Sequence, residues 1–174
     1  MIGVLRFIGL LNAAVWLGAV VSFTMAIGPA FFSPEMKANI PPPHNGVAAQ
    51  LVIERYFILL NCCGGIALLH WTVEKLYLGK MTERFVLILL AATISLSLIA
   101  GFWLQPKLKD LHRKKYDLRA SIEVRGAADR SFKMWHGVSQ TMNLLVMGGL
   151  LIYLWRIGNP GDGTRFVSAQ KFRT

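Results

Sequence analysis

Four uncharged, strongly apolar runs divide the chain: Phe7 to Pro34, Tyr56 to Val73, Phe85 to Pro106 and Met134 to Trp155. Each nears or exceeds the ~18–20 residues that a helix needs to cross the ~30 Å hydrocarbon layer of a membrane. Backbone N–H and C=O groups find no water in lipid, so a spanning segment is either a helix or part of a closed barrel. Barrel strands alternate apolar with polar positions, and these runs do not. The pattern predicts an all-α fold, an integral membrane four-helix bundle covering 1–157, with spans at about 7–32, 56–78, 84–105 and 134–156.

The segments between the runs read differently. The stretch 107–133 holds nine Lys/Arg and four Asp/Glu, with Leu108, Leu111, Leu118, Ile122 and Phe132 at helical spacing. That combination predicts a basic amphipathic helix on the membrane surface between spans three and four. Pro29 and Pro34 are expected to end the first span, and Gln105-Pro106 to close the third. Pro41-Pro42-Pro43 marks an exposed connection and Gly79-Lys80 a turn, while 158–174, with Gly158, Pro160, Gly161 and Gly163, reads as a flexible tail. The first run follows Arg6 much as a secretory signal would. It exceeds the 7–15 apolar residues of such signals, so it is read as a retained span.

Composition and charge narrow the class. With 54% hydrophobic and 16% charged residues and a mean hydropathy of +0.47, the chain does not resemble an ordinary soluble globule. The net charge of +10 sits almost wholly beside the apolar runs. Its expected partners are therefore anionic lipid headgroups, and not nucleic acid. Loops one and three together carry eleven Lys/Arg against eight on the opposite side. The positive-inside rule then places 107–133 in the cytoplasm and both termini outside.

Candidate chemistry concentrates at the start of the fourth run. At 100° per residue, His136, Gln140 and Asn143 form one helical stripe with Ser139 beside it, and such groups are expected to face the bundle. Interhelical hydrogen bonding, at ~0.6 kcal/mol for an average pair, is weighed against ligand binding or proton relay. A further alternative is a clasp in which Glu123 or Asp129 folds back from the loop and pairs with His136. In the first span, Ala14, Gly18, Ser22, Ala26 and Ala30 recur every four residues, which predicts a helix-packing groove.

Haem b held by His70 and His136 is the sharpest alternative. It is disfavoured because the two lie at depths differing by ~18 Å, at 1.5 Å per residue. His70 and Glu74 are expected to form an i, i+4 ion pair. Cys62 and Cys63 point ~100° apart on a helix, so they are read as packing residues, with no metal site. No nucleophile–base pair, phosphate loop or carboxylate pair is evident, so no enzyme activity is expected.

Several residues together carry a resemblance. They are Trp16, Gly18 and Phe23, then Trp103-Leu104-Gln105-Pro106, Glu123 with Arg125, and Phe132 with His136-Gly137-Val138-Ser139 and Asn143. In these the chain resembles the transmembrane protein 205-like family, which carries a domain-of-unknown-function label. The resemblance implies a multi-pass membrane protein without established enzyme activity. The expected function is that of a non-enzymatic accessory subunit of a larger membrane-protein complex, or of a small transporter-like component. The alternative is a haem- or metal-binding redox protein using His136, His70 or both.

Overall fold

The computed structural model describes residues 2–78 and 84–159. The expected turn at Gly79-Lys80 and the tail from residue 160 onward lie outside the described residues. The chain opens with α1 (Ile2–Ser22), which passes through a π-helical turn at Phe23–Ile27 into a last turn, α2 (Gly28–Phe31). A short α3 (Pro34–Asn39) follows, its first turn capped where Met36 N–H donates to Ser33 Oγ at 3.1 Å. Then come α4 (His44–Leu78), α5 (Arg84–Ile99), a second π-helical turn at Ala100–Leu104, α6 (Gln105–Lys115) and α7 (Ile122–Gly158). Four of these helical rods are long and apolar enough to cross a membrane, and no strand occurs among the described residues. The protein is a multi-pass membrane helix bundle. The expected amphipathic helix between spans three and four is α6, and it continues the third span directly. The rest of the basic stretch forms the linking turn and the beginning of α7.

Heptad-like seams hold the rods together. On α4, Tyr56, Leu60, Cys63, Ala67 and His70 are buried at alternate spacings of four and three. Leu90, Thr93, Ser97, Ala100 and Leu104 repeat that alternation along the third rod. Such spacing keeps one face against a neighbour through many turns. The outward faces are equally apolar, with Ile88 at 67% and Leu69 at 64% exposure, as lipid contact demands.

Two prolines that were expected to stop helices lie inside them instead. Proline lacks the N–H that would bond to the carbonyl four residues back, and its ring crowds that carbonyl. Both sites absorb the conflict in the same way. Gly28 N–H bonds to Phe23 O just before Pro29, and Gln105 N–H bonds to Ala100 O just before Pro106. Each bond reaches back five residues in place of four, so the helix widens for one turn and continues.

The small-residue groove is not a packing surface within this bundle. Ala14, Gly18, Ser22, Ala26 and Ala30 are all exposed, and a Cβ at Gly18 would meet nothing within 4 Å. The face of α1 that packs is Asn12, Ala13, Trp16 and Val20, with the last three fully buried. Trp16 decides the matter, because turning the small stripe inward would expose the largest apolar side chain of the span.

Aromatic girdles mark the membrane level. At one end Lys107 Nζ lies 3.6 Å from the Trp135 ring centre and 4.9 Å from that of Trp103. At the other, Lys75 covers Trp71 and Arg156 covers Phe85. From Trp135 to Trp155, α7 covers ~30 Å of axis, the thickness of the hydrocarbon layer. With 37 residues α7 is far longer than that. Its first turns therefore stand outside the aromatic level beside α6, joined to it by Lys115–Asp129 at 2.6 Å, while Lys133 holds the other oxygen of Asp129 from within α7 at 2.7 Å.

These faces assign opposite roles to neighbouring positions on α1. Val20→Leu overpacks the seam and is expected to destabilise the detergent-solubilised protein by about 1–3 kcal/mol. Gly18→Leu and Ser22→Leu should each change it by less than about 0.5 kcal/mol. Thermal unfolding followed by circular dichroism measures all three, and a larger loss at Gly18 than at Val20 would contradict this packing.

Candidate functional site

The polar stripe of α7 forms one wall of a cavity of ≈ 610 Å³ on the side of loops one and three. His136, Ser139, Gln140 and Asn143 all line it, so the structure brings these four together as expected. Its floor is a chain of hydrogen bonds across three rods. Tyr56 O–H donates to Asn143 Oδ1 at 2.6 Å, and Asn143 Nδ2 donates to Thr24 Oγ1 at 2.5 Å. Thr24 Oγ1 in turn donates to Val20 O at 2.7 Å. Every donor in the series has an acceptor, which is how buried polar groups become tolerable in lipid. Phe23, on the first π turn, stacks on Tyr56 with ring centres 4.3 Å apart and holds its ring in place.

The upper part is aromatic. His136 stacks on Phe132 at 5.8 Å with the planes 7° apart, and Phe32 meets its ring at 5.7 Å. His112 of α6 reaches the opposite side of the same cluster, 5.9 Å from Phe132 and 5.0 Å from Tyr116. Gly46 of α4 makes this possible. A Cβ there would overlap the His112 imidazole, so only glycine lets the α6 ring close over the helix. Lys109 and Glu54, 2.6 Å apart, add a second tie between α6 and α4.

Other expected partners are separated. Glu123 and His136 share the unbroken helix α7, thirteen residues apart, which fixes them ~20 Å from each other along the axis. Glu123 is exposed, and Asp129 is taken up by Lys115 and Lys133, so neither carboxylate clasps His136. His70 lies at the far end of the bundle. Its Nε2 is 2.8 Å from Leu5 O, and its ring packs on Gly9, where a Cβ would come within 2.5 Å. This contact replaces the expected pairing with Glu74. Since Leu5 begins the first rod and Phe32 follows its end, His70 and His136 do not meet at one iron. Cys62 is exposed and Cys63 buried, on diverging faces, while Cys63 O accepts from Asn12 Nδ2 at 2.9 Å. Among the described residues no three His, Cys, Asp or Glu side chains are grouped to hold a metal ion.

Sequence reasoning missed Thr24, Tyr56, Lys37, His112, Lys115 and Tyr116 as members of this site. Thr24 and Tyr56 were legible in principle, being polar-tipped side chains within apolar runs at the depth of Asn143. The others come from loop-side segments whose return to the bundle no periodicity announces.

Residues 11–117 match a family described as a domain of unknown function (DUF4149). The match takes in the first span from Leu11 onward, the second and third spans and α6, and stops before α7. No curated protein and no solved structure matches the chain.

The floor network has a measurable consequence. Asn143→Ala leaves the Tyr56 O–H without an acceptor and takes the amide donor away from Thr24 Oγ1, and is expected to cost about 1–3 kcal/mol. Tyr56→Phe removes a single bond and should cost only ~0.6 kcal/mol, the average for such bonds in a membrane. Unfolding in mixed micelles compares the two, and equal losses would mean that Asn143 is not the bridge.

Proposed function

The chain belongs to the DUF4149 family, and from that premise we propose that it is a non-enzymatic membrane protein that holds a small amphiphile in its interfacial cavity. On this reading it is a transporter-like component, or the ligand-bearing accessory subunit of a membrane complex. Within the family we also infer kinship with transmembrane protein 205-like proteins. That inference is carried by the pattern from Phe132 through His136-Gly137 and Ser139 to Asn143, which lies beyond the matched residues.

The cavity is the observation that supports this reading. Its volume of ≈ 610 Å³ lies in the range of small-molecule sites, and its lining is largely apolar with a few convergent polar groups. It begins at Phe132 above the Trp135 level and ends at Asn143 below it, so it straddles headgroups and hydrocarbon. An amphiphile suits that position better than a wholly polar or wholly apolar molecule. The Tyr56–Asn143–Thr24 network seals the inner end, which favours loading from the loop side. Redox chemistry at a haem shared by His70 and His136 is disfavoured by their separation along the bundle.

Native mass spectrometry of protein released gently from membranes should find one small amphiphile bound per chain. Ser139→Phe, which places a ring inside the cavity, should remove that adduct without unfolding the bundle. A wild-type protein free of adduct, or a variant that keeps it, would argue against ligand binding here.

We place loops one and three in the cytoplasm on their excess of Lys/Arg. In a background without Cys62 and Cys63, Ser121→Cys should resist a membrane-impermeant thiol reagent in intact cells, and Ser168→Cys should react. The opposite labelling would invert the topology.

A further inference from the structure

We infer that the cavity takes a long-chain carboxylate, with its head among Lys37, Lys115 and His136 and its chain running down to the floor at Tyr56 and Asn143. This rests on the ligand-binding reading above and names the chemistry of the ligand. The first ground is charge. The lining includes two lysines and two histidines, and neither an aspartate nor a glutamate. Lys37 forms no ion pair among the described residues, and His136 makes ring contacts but no hydrogen bond. Lys115 is held at the rim by Asp129 at 2.6 Å. One unpaired cation, a second lysine at the rim and ring nitrogens above an apolar chamber attract an anion whose remainder is apolar.

The second ground is size. At ~30 Å³ of liquid volume per water-sized group, the cavity accommodates ~20 non-hydrogen atoms. That is one acyl chain with a carboxylate. A two-chain phospholipid needs more than twice the room. Along α7 the lining above the floor extends from Phe132 to Asn143, ~16 Å of axis, which suits a chain lying lengthwise.

The test uses the full chain in a non-ionic detergent, titrated with palmitate, hexadecanol and a palmitoyl lysophosphatidate, with adducts counted by native mass spectrometry. Palmitate should bind once per chain, about tenfold or more tighter than hexadecanol, as loss of a charge-assisted hydrogen bond implies. Lys37→Ala should remove most of that preference and Lys37→Arg restore it. Lys37 is exposed, so neither change threatens the fold, and circular dichroism verifies this. Ser139→Phe should abolish binding of every ligand. Equal binding of palmitate and hexadecanol, lost in Ser139→Phe, would overturn the carboxylate inference and leave the amphiphile site standing. Tighter binding of the lysophosphatidate would assign the site to phosphate heads and overturn it as well. Binding that Ser139→Phe leaves intact would remove the cavity reading itself.

Discussion

Lipid offers no hydrogen bonds, and the polar side chains that tie the rods of this bundle together are placed under that constraint, although Trp16 Nε1 is buried without a partner. Asn143 satisfies it for three rods at once, accepting from Tyr56 and donating to Thr24. Nearer the other end, His70 meets Leu5 O and Asn12 meets Cys63 O, so α1 and α4 are tied at several levels. The third rod meets the constraint internally, since Thr93 and Ser97 bond to carbonyls one turn back on their own helix. Its attachment therefore depends on seam packing alone within the hydrocarbon. The cavity opens where the cross-rod bonds end. Above Asn143 the polar side chains of α7 face a space instead of a neighbouring helix.

The α6–α7 extension completes that space. Were α6 to end and α7 to begin at the aromatic level, the cavity would lose His112, Lys115 and Phe132 and remain an open groove. The Lys115–Asp129–Lys133 contacts lie at the surface, where each such pair contributes only ~0–1 kcal/mol. The value of Lys115–Asp129 is positional, because it keeps α6 against α7 so that His112 covers Gly46.

The spans were legible because length and absence of charge are sufficient criteria in a membrane. The stripe on α7 was legible because polar groups within an apolar run contrast with their surroundings. The face of α1 was not. Where lipid and core are equally apolar, periodicity does not tell Val20 from Val21, and the regular spacing from Ala14 to Ala30 drew attention to the outward side. His70 was misread for another reason. Its partner is the carbonyl of Leu5, and a backbone group has no signature in sequence. Pro29 and Pro106 were expected to end helices by a rule that holds where water can satisfy the released carbonyls. In lipid a frayed end would leave them unpaired, and widening a turn is the less costly outcome.

That widening also changes how the two rods are counted. A turn closed five residues back holds one residue more than its neighbours, so beyond it sequence position and helical face fall out of step by ~100°. Each rod thus carries two registers spliced at the depth of the cavity floor. The seam of Ala13, Trp16 and Val20 belongs to one register, and Gly28, Pro29 and Phe31, which line the cavity, belong to the other. Two segments of one helix are thereby uncoupled in orientation while remaining coupled in axis. The inner half of the first rod can stay committed to the core while its outer half is turned, by one residue's worth of phase, toward whatever occupies the space above.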